Sequence, residues 1–212
     1  DGAPYPWDSD GIYTEGEFLY SNCDTQVLGE ILFRATGQDP GTFAQAELFE
    51  AINMTAYWWR DNVESGQANG NYLSYCCLDA TAQDFAKFGY LMQLGGIEVE
   101  SGTQYGGYVS DILAMDSFYD KQFWSFCAEQ DGGGNCLNRV IHTSGFDGQF
   151  VVMDFKHNLI IVRASLYKSY LNHSDDRKMF LIPGSVATSN WLGSVPNAMA
   201  IQAPTTFSIA EF

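Results

Sequence analysis

From Gly16 to Leu32 the chain reads G-E-F-L-Y-S-N-C-D-T-Q-V-L-G-E-I-L. A glycine and an acid lead through an aromatic segment to the tripeptide Tyr20-Ser21-Asn22. The apolar residues that follow recur at helical spacing and predict a helix over 25–35 that ends at Gly37. The stretch therefore places a tyrosine shortly before an amphipathic helix.

Two further helices are predicted downstream. The first opens at Pro40-Gly41, and residues 58–71 then read as an irregular loop. The next begins after Thr81, with Asp84 three residues on as a variant of the capping box, and stops at Gly95-Gly96.

The second half of the chain contains three apolar runs separated by short polar turns. They predict antiparallel strands over 136–143, 148–155 and 159–166, followed by a terminal helix over 175–182 that continues over 186–192. Helices followed by a meander and a helix indicate the α+β class, as a sandwich in which helices cover one antiparallel sheet. Residues 1–212 are predicted to form a single domain.

Composition excludes several classes of protein. The hydrophobic content of 46% excludes a disordered chain, and a net charge of −16 leaves nothing to neutralise nucleic-acid phosphates. No apolar run approaches the ~18 residues that a membrane-spanning helix needs. The three histidines lack ligand spacing and no Cys-x-x-Cys occurs, so neither a metal site nor a cofactor is predicted.

Five cysteines indicate an oxidising compartment. Cys127 and Cys136 flank a glycine-rich loop and are predicted to form a disulfide, with two free buried thiols as the alternative. Cys76 and Cys77 are adjacent and are not expected to bond each other, which leaves open a bond from one of them to Cys23. Because five is odd, one thiol is free or bonds another chain.

Two N-glycosylation acceptors occur, at Asn53-Met54-Thr55 and Asn172-His173-Ser174. With the cysteines and the acidic surface they favour a secreted protein, and both asparagines are expected to lie on the surface.

Several of these motifs together resemble the serine β-lactamase and penicillin-binding-protein superfamily, in particular its branch of carboxylesterases and 6-aminohexanoate-dimer hydrolase. Tyr20-Ser21-Asn22 resembles the second catalytic motif, and the run 81–89, T-A-Q-D-F-A-K-F-G, resembles the family's T-A-x-D-x-A-x-F-G helix. Asn53-Met54 and the segment Trp59-x-Asp61 with Gly66 stand where the family has Gly-Met and a Trp-Asp-Gly loop. The resemblance covers most of residues 11–166.

The third motif of the family is Lys or His, then Ser or Thr, then Gly, on a central strand. Here the strand carries His142-Thr143-Ser144-Gly145, so Gly145 takes the glycine position and Thr143 the basic one. Because of this departure, the motif does not identify the residue that would bind a substrate carboxylate. The alternative for His142 is a strand histidine that bonds a backbone carbonyl.

The resemblance implies a mechanism. In the family a tyrosine is the base that activates a serine nucleophile, and the lysine of an upstream Ser-x-x-Lys lowers the pKa of that phenol. Tyr20 would be this base, and Asn22, in an extended or turn segment, would face the same side. The oxyanion hole would use the backbone N–H of Phe146 and that of the nucleophile. The alternative for Tyr20 is an aromatic residue packed at a helix start.

An upstream Ser-x-x-Lys is expected before Tyr20, yet the only match is Ser165-Leu166-Tyr167-Lys168, which trails a predicted strand instead of opening a helix. We therefore expect the C-terminal part of a secreted β-lactamase-like serine hydrolase, incomplete at its N-terminal side. Its partner would be an N-terminal segment or chain of the same protein, and its substrate a small ester or amide. The alternative is an inactive extracellular structural or binding protein with this fold.

Overall fold

The fold is described from a computed structural model, for residues 18–61, 70–96, 105–145 and 148–164. The predicted terminal helix over 175–192 lies outside these residues. Contacts divide the chain into two compact units, Asp1–Thr42 with Trp58–Cys77 and Phe43–Tyr57 with Leu78–Phe212. Each unit is described by itself, and the single domain over 1–212 stays a prediction.

The first unit is built around helix α1, Asn22–Thr36, which confirms the predicted helix. It begins three residues earlier than predicted because Ser21, in extended conformation, accepts a 3.2 Å hydrogen bond from the Asp24 amide. It ends at Gly37, whose φ of 74° lets its N–H reach the Phe33 carbonyl at 2.8 Å.

The second predicted helix forms in a shorter and less regular way. Helix α2, Pro40–Ala44, passes directly into a π-helical turn over Gln45–Phe49. The predicted irregular loop 58–71 is wrong at its start, where Trp58 lies in a strand and Arg60 in a bridge. Strand β1, Ala56–Trp58, pairs with β2, Leu78–Ala80, and Arg60 forms an antiparallel bridge with Tyr72.

The second unit contains helix α3, Ala82–Gln93, which is capped by Thr81 as predicted, and helix α4, Gly106–Leu113. A five-stranded antiparallel sheet follows in the order β3-β4-β5-β6-β7. Its strands are Tyr119–Asp120, Phe123–Gln130, Cys136–Ser144, Phe150–Asp154 and Leu159–Arg163. The three predicted strands are confirmed as β5, β6 and β7, and the pairing of each with the next is antiparallel.

The main core lies between one face of this sheet and helices α3 and α4. It contains Met92, Val109, Ile112, Ile141 and Met153, each at most 4% exposed. Helix α3 approaches the sheet closely at Gly89, where a methyl group would lie 2.9 Å from the Ile160 side chain. The glycine that ends the 81–89 motif is therefore a packing requirement of the helix–sheet interface.

Candidate functional site

Tyr20 stands at the entrance to α1. It is 45% exposed and is followed by the extended N-cap Ser21. The expectation of an extended or turn conformation at Asn22 is wrong, because Asn22 is the first residue of the helix. The capping bond from the Asp24 amide to Ser21 causes this difference, since it starts the helix one residue after the cap.

Helix α1 presents its aliphatic side chains outward. Val27, Leu28 and Ile31 are 55%, 46% and 54% exposed. The opposite side carries the buried Gly29 and the half-buried Gln26. In an ordinary surface helix the apolar stripe faces the core. Helix α1 has the opposite orientation, because its apolar stripe faces outward; we call this stripe the inverted face of α1.

The inward side of α1 contacts a tight loop over residues 72–77. Gln26 donates to the Tyr72 carbonyl at 2.9 Å and accepts from the Ser74 amide at 3.0 Å. A methyl group on Gly29 would lie 2.0 Å from the Ser74 hydroxyl oxygen, so only glycine fits there without a shift. The loop thus holds the helix that follows Tyr20.

The expectation that Cys76 and Cys77 do not bond each other is wrong. Their sulfurs are 1.97 Å apart. Successive side chains of an extended strand point to opposite faces, but Cys77 has a φ of 69°, and this left-handed turn brings both side chains to the same side. Cys23 is a free, exposed thiol.

Cys127 and Cys136 lie at disulfide distance, with their sulfurs 2.11 Å apart. They join β4 to the first residue of β5, beside the loop 131–135. The Asp131 carboxylate organises that loop by accepting 2.8 Å bonds from the Gly133 and Asn135 amides. Asn135 and Gly133 hold the pKa of Asp131 below its ordinary value, because their N–H groups favour the ionised form.

The residues of the third motif alternate between the two faces of the sheet. Ile141, the residue before His142, belongs to the core beneath the helices, so His142 points to the other face. On that face the ring centroid of His142 lies 5.7 Å from that of Phe126 and 6.2 Å from that of Phe150. His142 is 7% exposed, and burial lowers the pKa of its imidazole, although a contact with the Thr143 carbonyl acts in the opposite direction. His142 and Thr143 therefore do not converge on one point.

Thr143 and Gly145 are both engaged in the connection between β5 and β6. The Thr143 hydroxyl accepts a 3.1 Å bond from the Val151 amide, and the Gly145 amide donates to the Gln149 carbonyl at 2.7 Å. Ser144 is exposed, while Phe146 lies outside the described residues. A methyl group on Gly145 would lie 2.6 Å from the Gln149 amide oxygen, so Gln149 is the side chain next to the motif glycine. Its place four residues after Gly145 in a hairpin is the signal that could have identified it.

Gly145 belongs to the second unit and Tyr20 to the first. The resemblance of the two motifs predicts that Gly145 faces a cleft near Tyr20, and this stays a prediction.

A buried ion pair on α3 anchors the first glycosylation motif. Lys87 donates to the Asp84 carboxylate at 2.9 Å and to the Asn53 carbonyl at 2.5 Å. Burial raises the pKa of Asp84, but hydrogen bonds from Thr81, Lys87 and the Thr55 amide outweigh it and hold that pKa below its ordinary value. Asn53 itself is exposed, as predicted, and Asn172 lies outside the described residues.

A second charged cluster, which the sequence did not reveal, lies at the opposite end of β5 from Gly145. His157 is 2.8 Å from the Asp154 carboxylate and 3.3 Å from the Glu129 carboxylate. Asn138, near the start of β5, donates to the fully buried Asp154 at 3.1 Å. The only sequence signal is the polar turn 156–158, and the cluster fastens that turn to β4.

Within the described residues, no group of three or more His, Cys, Asp or Glu side chains is arranged to hold a metal ion. The same part of the chain contains no helix that is long and apolar enough to cross a membrane.

No protein-family model and no curated protein sequence matches the chain. Several solved structures are similar to it. A "putative 6-aminohexanoate-dimer hydrolase from Bacillus anthracis" matches 86% of this chain and 46% of its own, with a TM-score of 0.65 and 21% identity. A "putative beta-lactamase from Bacteroides dorei" matches 72% of this chain and 52% of its own, with a TM-score of 0.52 and 16% identity. The chain thus spans about half the length of the structures it matches.

Proposed function

We propose that this chain, whose fold is that of the serine β-lactamase-like superfamily, is the base-carrying part of a serine hydrolase that cleaves esters or amides. Tyr20 is the general base. The serine nucleophile and its lysine lie on a complementary N-terminal segment or chain of the same protein.

The observation that carries this proposal is the inverted face of α1. Its aliphatic side chains are about half exposed directly after Tyr20, which is itself exposed. Contiguous apolar patches of this kind mark surfaces that another element covers. A helix bearing Ser-x-x-Lys seated here would bury the patch and bring its serine and lysine to the tyrosine.

The chemistry then follows in two steps. The serine hydroxyl attacks the carbonyl carbon while its proton passes to the Tyr20 oxygen, and the acyl-enzyme forms as the alcohol or amine leaves with that proton. Water then repeats the sequence and releases the acid. The Phe146 N–H and the N–H of the nucleophile stabilise the oxyanion, and Asn22 bonds the lysine or the substrate.

Secretion and glycosylation belong to the same proposal. Two cysteine pairs at disulfide distance support an oxidising compartment, and the exposed Asn53 is accessible for a glycan. A glycan at Asn53 would increase the intact mass of the native protein, and peptide N-glycosidase would remove that increment.

One observation favours a second function, a non-catalytic extracellular binding protein. Thr143 occupies the basic position of the third motif, and its hydroxyl already accepts from the Val151 amide. A substrate carboxylate therefore has no cation from this motif, which disfavours β-lactam substrates in either case.

Labelling with a fluorophosphonate distinguishes the two functions. Applied to the protein from its native source, it should modify one serine outside residues 1–212, and Tyr20→Phe should abolish the modification. Residues 1–212 alone should remain unlabelled. The absence of labelling in the native protein would favour the binding protein, and clean labelling at Ser165 would overturn the assignment of the nucleophile to another segment.

A further inference from the structure

The adjacent cysteines close the loop that holds α1. The Cys76 carbonyl accepts from the Trp58 indole at 2.9 Å, and the same indole N–H reaches the Leu73 carbonyl at 3.0 Å. The Cys77 carbonyl accepts from the Trp59 amide at 3.0 Å. Both half-cystines thus hold a defined backbone position against Trp58-Trp59.

We propose that the Cys76–Cys77 disulfide is a redox latch that keeps the loop 72–77, and through it helix α1, in the position described. In the oxidised state the loop accepts and donates the two Gln26 hydrogen bonds. In the reduced state the loop relaxes and α1 loses this support.

The physical basis is the backbone at Cys77. Its φ of 69° lies in the left-handed region, which costs a residue with a side chain roughly 1–2 kcal/mol relative to ordinary conformations. The ring closed by the disulfide restrains Cys77 there. Once the ring opens, Cys77 is free to return to negative φ, which turns its carbonyl away from the Trp59 amide.

The redox step requires a dithiol reductant. A thiolate of the reductant attacks the sulfur of Cys77, the more exposed of the pair, and the electron pair of the S–S bond passes to the Cys76 sulfur, which takes up a proton. The second thiol of the reductant then displaces Cys77. The products are two protein thiols and an oxidised dithiol, so two electrons and two protons enter the protein.

Reduction would also affect catalysis, because α1 positions the segment that contains Tyr20. This consequence rests on the function proposed above. The latch itself is tested without any activity. We measure amide hydrogen exchange by mass spectrometry on the air-oxidised protein, with and without dithiothreitol. Exchange over 58–61, 70–77 and α1 should be faster with dithiothreitol than without it. We expect an increase of about five- to thirtyfold.

Two double variants provide the matched controls. Cys76→Ser/Cys77→Gly lacks the disulfide but tolerates the left-handed backbone, so it should exchange nearly as slowly as the oxidised protein and ignore dithiothreitol. Cys76→Ser/Cys77→Ser should exchange quickly under both conditions. Because both variants retain Cys127 and Cys136, an effect of reducing that second pair would appear in both.

Three outcomes would overturn the latch. The first is that amide exchange stays unchanged although mass analysis shows that the pair is reduced, and the second is that the double-serine variant exchanges slowly. The third is that Cys76 and Cys77 are two free thiols in the air-oxidised protein. If exchange changes as expected while no ester hydrolysis is found, the latch stands and the proposed function fails.

Discussion

Breaking the buried pair between Asp84 and Lys87 should cost far more stability than breaking an exposed pair. The Lys87 nitrogen lies 2.9 Å from an Asp84 oxygen, and their side chains are 11% and 9% exposed. At an effective dielectric constant of ~20 the attraction over this distance is about 6 kcal/mol before desolvation is subtracted. Removing one partner leaves the other charge buried, which typically costs about 3–5 kcal/mol.

Asp84→Asn should therefore lower the free energy of unfolding by about 3–5 kcal/mol. Lys87→Met should cost less, because the Asp84 carboxylate keeps its bonds from Thr81 and the Thr55 amide. The double variant should cost less than the sum of the two. Urea denaturation of the native protein and its variants measures each value.

An exposed pair of similar helical spacing supplies the control. Arg34 and Glu30 are 2.7 Å apart on α1 but 78% and 54% exposed. Arg34→Met should cost less than about 0.5 kcal/mol. Equal losses for Asp84→Asn and Arg34→Met would refute the argument that burial makes the Asp84 pair important.

Three further predictions concern other parts of the fold. The pKa of His142 is lower in the folded protein than in the unfolded chain, so its contribution to stability is complete above pH ~6.5 and is lost as the pH falls below that value. His142→Leu should therefore flatten this part of the curve of unfolding free energy against pH, measured by urea titration. Gly29→Ala should destabilise by about 1–3 kcal/mol, because its methyl group meets Ser74, and adding Ser74→Gly should recover most of the loss. Gln122→Gly should raise the melting temperature, since Gln122 has a φ of 65° in the turn between β3 and β4, and a lower value would contradict the strain argument.

Parts of this fold are encoded locally, and these could be predicted. Strands β5, β6 and β7 have apolar runs with polar turns between them, and Thr81 gives α3 a visible start. Strand β4 is reached through a turn at Lys121-Gln122, two residues with positive φ that lack the usual glycine or asparagine signal. Helix α4 begins at two glycines without a side-chain cap, so its start was equally hidden.

The candidate site shows the same division. The motif residues can be recognised in the sequence, and the strand pattern also fixes the faces to which their side chains point. His142 and Thr143 are adjacent in a strand, so they must point to opposite faces, and this could have been inferred from the pattern alone. The bond between Cys76 and Cys77 could not, because it depends on a positive φ at Cys77, and a cysteine gives none of the glycine or asparagine signal that usually marks such a backbone.

The role of Tyr20 as general base is the central claim, and the rate of ester hydrolysis by the native protein tests it most directly. Tyr20→Phe removes one oxygen from an exposed ring and should lower kcat/KM by about 100- to 10,000-fold, the usual contribution of a general base. Tyr57→Phe makes the same change at a 68% exposed position and should leave the rate unaltered. A Tyr20→Phe variant that retains a third or more of the native kcat/KM would contradict the assignment.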